Sequence, residues 1–64
     1  MCQMSVYVEK DGIEELCFSD VTNLSVDGTG VKVSTLFEGE TELHDTVLRS
    51  IDFMAGKVLL QQST

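Results

Sequence analysis

Short segments in which apolar and polar residues alternate, separated by turns that often contain glycine, dominate the chain. The stretch from Val31 to Phe37 is the clearest, because it is rich in β-branched residues and keeps a period of two. Such a period indicates β-strands with one buried face. Strands are predicted at 4–9, 13–18, 21–26, 31–37, 41–43, the neighbourhood of Ile51 and Phe53, and 57–61, although three consecutive apolar residues make the alternation in 13–18 imperfect.

Turn signals separate these segments. The Asp-Gly pair at 11–12 is a strong hairpin signal, and the turn at 27–30 contains two glycines that accept a positive φ. The stretch 44–47 is ambiguous and is compatible with a short helical turn. Further breaks are predicted at 19–20, 38–40 and 55–56.

The predicted architecture is all-β, because no helical periodicity of useful length is present. About six or seven short strands, with turns every 8–12 residues, are typical of a small antiparallel barrel or sandwich. Residues 1–64 are predicted to form one domain. The residues predicted to fill its core are Val6, Val8, Leu24, Val31, Val33, Phe37, Ile51, Phe53, Val58 and Leu60.

The small size of the chain creates a need for reinforcement. A domain of 64 residues buries only about 60% of its unfolded surface, so disulfides, a metal or a partner subunit usually stabilise it. The two cysteines, Cys2 and Cys17, follow no secretory-signal pattern and have no CxxC spacing. We therefore expect a cytoplasmic protein without a disulfide framework or a zinc site within one chain. We predict a homodimer, in which a second subunit supplies the additional stabilisation.

The formal net charge of −7 limits the classes of partner. Nucleic-acid binding depends on Lys and Arg that neutralise phosphates, and the chain has four such residues against eleven acidic ones. The same balance disfavours an anionic membrane surface, and no apolar run has the length of a transmembrane helix. We expect no membrane partner, and nucleic acid is disfavoured.

Residues that could support catalysis are nearly absent, so the chain is predicted not to be an enzyme. His44 lies beside Asp45, and a His–carboxylate pair can act as a base and the group that orients it, but adjacent residues on an extended chain point to opposite faces, so no interaction is expected. His44 is therefore interpreted as a surface histidine in a loop, with an outer-shell or axial metal group as the alternative. Cys17 is flanked by apolar residues and is interpreted as a core residue, with a second sulfur donor as the alternative. The turn at 28–30 has no following helix that would make it a phosphate loop.

Cys2 is the remaining reactive candidate, because removal of Met1 would give one residue a free α-amine and a thiol. Together these two donors close a five-membered chelate ring on a metal ion, and metal binding displaces their protons. Two such N-termini provide two nitrogens and two sulfurs, a set that suits Ni(II) or Cu(II) when tetragonal and zinc when tetrahedral. The alternative is that Cys2 is a small buried residue at the start of a strand.

Four segments, Met1-Cys2, 20–24, 31–40 and 51–60, extend along almost the whole chain. Together they resemble the CooT family, small proteins linked to nickel supply for carbon monoxide dehydrogenase. The resemblance implies a compact β fold and a homodimer that binds one Ni(II) through Cys2 of each protomer. It also implies a nickel-enzyme maturation partner, and it assigns no role to Cys17 or His44.

Two alternatives belong to other classes of protein. A hydrogenase-maturation chaperone of the HypC type also begins with Met-Cys and is a small β-barrel. Such chaperones typically have a proline-containing segment after the cysteine, whereas this chain contains no proline. The other alternative is an RNA-binding module with a small β-barrel, which the acidic charge disfavours.

Overall fold

The computed structural model describes residues 4–63, and within this range it contains six strands and no helix. The all-β prediction is therefore confirmed. The strands are β1 (Met4–Lys10), β2 (Ile13–Val26), β3 (Gly30–Thr35), β4 (Gly39–His44), β5 (Thr46–Asp52) and β6 (Lys57–Gln62).

The six strands form a single sheet in the order β4-β3-β2-β1-β6-β5, which curls into a half-barrel. Neighbouring strands are antiparallel except for β1 and β6, which run parallel with Val6 opposite Val58. Strands β4 and β5 are the two edges, and only Asp45 separates them along the chain. The positive φ of Asp45, 53°, makes this sharp connection. The stretch 44–47 contains no helical turn.

β2 corrects the prediction of two strands separated by a break at 19–20. It is one strand of 14 residues that bends at Asp20, whose φ is 55°. Residues 13–21 pair with β1 and residues 21–26 pair with β3. The bend, together with irregularities in the register on both sides, allows one strand to turn the sheet around a corner.

The core consists of five aliphatic side chains on the inner face of the half-barrel. Val8 and Leu24 pack against them while remaining partly exposed. Seven of the ten predicted core residues are thus buried or partly buried against the core. The five buried side chains are Val6, Val31, Val33, Val58 and Leu60, each at most 4% exposed.

The other three predicted core residues are exposed, so this part of the prediction is wrong. β3 ends at Thr35, which leaves Phe37 in the following turn, where it is 80% exposed. β5 ends at Asp52, and Phe53 is 77% exposed in the next turn. Ile51 lies near the end of the edge strand β5 and is 39% exposed, because no further strand covers it.

The turn at 27–30 joins β2 to β3 at the end of the sheet opposite the turns that contain Phe37 and Phe53. The Asp27 carboxylate accepts hydrogen bonds from the backbone N–H groups of Thr29 (2.8 Å) and Gly30 (2.9 Å) and from the Thr29 hydroxyl (3.0 Å). These bonds hold the pKa of the Asp27 carboxyl below its ordinary value, and the bond from the backbone N–H of Thr29 has the largest effect. Gly30 is buried, and a Cβ at this position would overlap the Leu43 carbonyl oxygen, so β3 and β4 approach closely only because glycine is present.

Candidate functional site

The predicted metal ligand, Cys2, lies outside the described residues. The first described residue is Met4, which is two positions further along the chain and begins β1. The candidate site therefore consists of the described residues around Met4.

Paired residues place Met4 at one end of the half-barrel. A row of neighbours crosses β4, β3, β2 and β1 through Gly39, Thr35, Val21 and Met4. On the other side of β1, Ser5 pairs with Lys57 of β6, which pairs with Asp52 of β5. The turns that join β3 to β4 and β5 to β6 extend beyond this row. Both turns therefore lie at the end of the sheet at which β1 begins.

Large apolar side chains are exposed at this end, and together they are called the apolar end here. Exposed apolar side chains are common singly, but a group of them on a small monomer marks an interaction surface. Two members of the group, Ile51 and Phe53, also lie beside Met4, the first described residue. The apolar end consists of Leu36 (62% exposed), Phe37 (80%), Ile51 (39%), Phe53 (77%) and Met54 (99%).

Hydrogen bonds fix both turns of the apolar end. The Thr35 hydroxyl accepts a bond from the backbone N–H of Glu38 (2.9 Å), and the Asp20 carbonyl accepts one from the N–H of Leu36 (3.0 Å). The Asp52 carboxylate accepts bonds from the N–H groups of the two residues that follow Phe53, both at 3.0 Å. In each turn a side-chain oxygen accepts backbone N–H bonds that would otherwise pair with a neighbouring strand, so the strand ends there.

Two grooves flank the bend of β2 at this end. One, called the apolar groove, has a volume of about 240 Å³ and no charged residue in its lining. The other, called the acidic groove, has a volume of about 310 Å³ and contains two carboxylates and no cation in its lining. The apolar groove is lined by Met4, Val21, Thr22, Asn23, Leu24, Ile51, Phe53 and Val58. The acidic groove is lined by Cys17, Phe18, Ser19, Asp20, Thr35, Phe37 and Glu38.

Cys17 belongs to the acidic groove and not to the core. It lies at a shift in register between the partners of Val6 and Tyr7, and its side chain is exposed. The interpretation of Cys17 as a core residue is therefore wrong, because the pattern of neighbouring apolar residues does not reveal the bulge.

His44 lies at the far end of the sheet, where it pairs with Gly30. Its Nε2 is 3.5 Å from a carboxylate oxygen of Glu42, and both side chains are largely exposed. The predicted surface position of His44 is confirmed, at the end of a strand. Among residues 4–63, no three His, Cys, Asp or Glu side chains converge as a metal-binding group.

Two of the four cationic side chains form ion pairs with glutamates. Arg49 contacts Glu9 at 2.8 Å, and Lys57 contacts Glu14 at 2.9 Å. The hydrogen bond with Glu14 raises the pKa of the Lys57 ammonium above its ordinary value. The Lys57 nitrogen also lies 4.7 Å from the centre of the Tyr7 ring. These two cations are therefore engaged within the chain.

The described part of the chain contains no helix long and apolar enough to cross a membrane.

The fold and its surface define a class of protein: a small all-β domain with a cysteine next to its first methionine and an exposed apolar end where Met4 begins β1. The family model described as CO dehydrogenase accessory protein CooT matches residues 1–61. The chain therefore belongs to the CooT family, as the resemblance in its sequence predicted.

The fold agrees with that assignment. A crystal structure assigned to CooT of Carboxydothermus hydrogenoformans superposes with a TM-score of 0.81 and covers 98% of this chain and 100% of its own. Its sequence identity is 17%, so this likeness concerns the fold. A comparison with curated proteins found no match.

Sequence reasoning identified the family but missed the apolar end and the acidic groove. A signal for both turns was present, because Thr35 and Asp52 are residue types that accept hydrogen bonds from the backbone two or three positions ahead. Each precedes a phenylalanine by one or two positions. Reading these residues as turn formers would have placed both rings outside the core.

Proposed function

We propose that this chain is a nickel-binding accessory protein that supports nickel supply to carbon monoxide dehydrogenase. Membership of a family of CO dehydrogenase accessory proteins supports this role, and an accessory role agrees with the prediction that the chain is not an enzyme. In the proposal, two protomers bind one Ni(II) through Cys2 of each. Nickel is cargo here and not a resident cofactor.

The observation that carries the proposal is the position of the start of β1 at the apolar end. Met4 lines the apolar groove together with Ile51 and Phe53, and it is two residues from Cys2. Two residues of extended chain span at most about 7 Å. A second copy that covers this groove therefore brings two N-termini within reach of one ion, and the same contact buries exposed apolar surface.

The uncharged lining of the apolar groove suits contact between identical copies. Each copy has a net charge of −7, so most surfaces of two copies repel each other. No carboxylate lines the apolar groove, whereas Asp20 and Glu38 line the acidic groove. Self-association across the apolar groove avoids placing these carboxylates against one another.

The donor chemistry of Cys2 fits a transferable metal ion. A thiolate and an α-amine from each protomer give four donors, and open positions remain for a receiving ligand. Both groups must lose a proton, with ordinary pKa values of about 8.5 for the thiol and about 7.7–8.0 for the amine. Nickel affinity should therefore increase as the pH rises from 6 to 8.

Titration of the protein with Ni(II), followed by absorption spectroscopy, tests the proposal. The protein must have a native N-terminus, because a preceding tag removes the amine donor. We expect thiolate-to-nickel charge-transfer bands that saturate at one ion for two chains. Cys2→Ser should abolish these bands, whereas the matched variant Cys17→Ser should retain them, because Cys17 lines the other groove.

Equal nickel binding by wild type and Cys2→Ser would contradict the assignment of Cys2. Loss of the bands in Cys17→Ser would place the second sulfur in the acidic groove instead. A single ion per chain, without change in association state, would exclude the shared site.

A further inference from the structure

We propose that the acidic groove is a docking site for a partner protein, which inserts an apolar side chain flanked by lysine or arginine. This surface is separate from the apolar groove assigned to self-association. The inference does not depend on nickel binding or on Cys2.

The groove has an apolar wall that is already in place. Phe37 lines the groove from the turn between β3 and β4 and is 80% exposed. The hydrogen bonds from Leu36 to the Asp20 carbonyl and from Glu38 to the Thr35 hydroxyl fix the turn. Because the turn is already ordered, little of its conformational entropy is lost when a partner binds.

The size of the groove suits a side chain better than a cofactor. Its volume of about 310 Å³ lies at the lower limit of small-molecule sites, which begin near 300 Å³. Phe18 and Phe37 provide apolar surface, and the groove opens to solvent between β2 and the turn after β3. A leucine or an aromatic residue from another protein would replace water at this surface.

The charge of the groove selects the residues next to that side chain. Asp20 and Glu38 both line it, and none of its lining residues is cationic. Within the chain, Arg49 and Lys57 already pair with other glutamates. A second copy would add seven further negative charges, whereas a segment with lysine or arginine would complement the two carboxylates. The occupant is therefore a different protein with a basic and apolar segment.

NMR titration of the full-length ¹⁵N-labelled chain tests this assignment. The probe is a synthetic peptide with one central phenylalanine and two lysines on each side of it. We expect amide shift changes concentrated at 17–20 and 35–38. A matched peptide with glutamates in place of the lysines should cause none of these changes.

Two variants of the groove separate the apolar contribution from the charge contribution. Phe37→Ser removes the exposed ring, and the pair Asp20→Asn with Glu38→Gln removes both charges. Asparagine tolerates the positive φ of Asp20, so the bend of β2 should persist. The neutral pair should weaken peptide binding roughly three- to tenfold, because each exposed charge pair contributes a small amount. Val47→Ser, at an exposed apolar position of β5 outside both grooves, is the matched control and should bind with unchanged affinity.

The control spectra of each variant must retain the dispersion of a folded β protein. Three results would overturn the proposal: no shift changes with millimolar lysine peptide, equal binding of the glutamate peptide, or shifts centred on the apolar groove. Unchanged affinity in the neutral pair would also overturn it, because charge complementarity would then play no part.

Discussion

Phe53→Ser is predicted to dissociate the proposed homodimer while leaving each protomer folded. Phe53 is 77% exposed in the protomer and makes little contribution to the core formed by Val6, Val33 and Leu60. Its ring lines the apolar groove beside Met4. The substitution therefore removes surface that matters only when a second copy covers it.

The magnitude follows from the area that the ring offers. A phenylalanine buries roughly 200 Å² when it is fully covered, so about 150 Å² of Phe53 is available to a partner. At about 25 cal/mol per Å², complete burial contributes about 4 kcal/mol per protomer. If half of this area is covered, the two rings of a symmetric dimer together contribute about 4 kcal/mol. The dimer dissociation constant should then increase roughly a thousandfold.

Sedimentation equilibrium over a range of concentrations measures this effect, and the thermal unfolding curve of the monomer serves as a folding control. Phe37→Ser is the matched variant, because Phe37 is similarly exposed at 80% but lines the acidic groove. We expect it to remain dimeric. A dimer of wild-type affinity in Phe53→Ser would refute the assignment of the apolar groove to self-association, as would dissociation caused equally by both substitutions.

Three further predictions concern stability and are measured by urea unfolding. Gly30→Ala should destabilise the fold by more than about 2 kcal/mol, because its Cβ would overlap a carbonyl oxygen of β4, whereas Gly28→Ala, with open space around it, should have a much smaller effect. Leu60→Ala should lose about 2–5 kcal/mol, because Leu60 is fully buried, and a loss below 1 kcal/mol would contradict its place in the core. The pKa of Asp27 is lowered in the folded state, so its carboxylate contributes stability above the ordinary value of 3.8, and this contribution is lost as the pH falls through the lowered pKa. Asp27→Asn should therefore lower stability at pH 7 and reduce the loss between pH 4 and pH 2, and an unchanged acid profile would show that the carboxylate is not the cause.

The period of two predicts the strands of the core, because a strand with one buried face has an apolar residue at every second position. Val31 and Val33 alternate with polar residues and are buried as predicted. The turn at 11–12 also follows from its residues, since both Asp11 and Gly12 have positive φ. Local chemistry of this kind is available in the sequence without knowledge of the sheet.

The long strand β2 could not be predicted in the same way. Ser19 and Asp20 have the composition of a turn, and Asp20 does adopt a positive φ. The chain nevertheless continues as one strand, because β1 and β3 pair with its two halves. Pairing with distant segments outweighs local preference here, and a sequence pattern does not record it.

The apolar end was hidden for a related reason. Phe37 and Phe53 each continue an alternating pattern, so both were predicted to be buried. Their exposure follows from hydrogen bonds of Thr35 and Asp52 that end the strands first. A surface reserved for contact between chains has the composition of a core, so pattern alone does not distinguish the two.

Native mass spectrometry of the untagged protein with Ni(II) shows whether two chains share one ion. We expect a dimer that has lost Met1 from both chains and carries one nickel ion. Cys2→Ser should form the same dimer without nickel, because the proposed dimer contacts involve the apolar groove and not Cys2. Nickel bound to single chains, or retained by the Cys2→Ser dimer, would contradict a nickel site shared through Cys2.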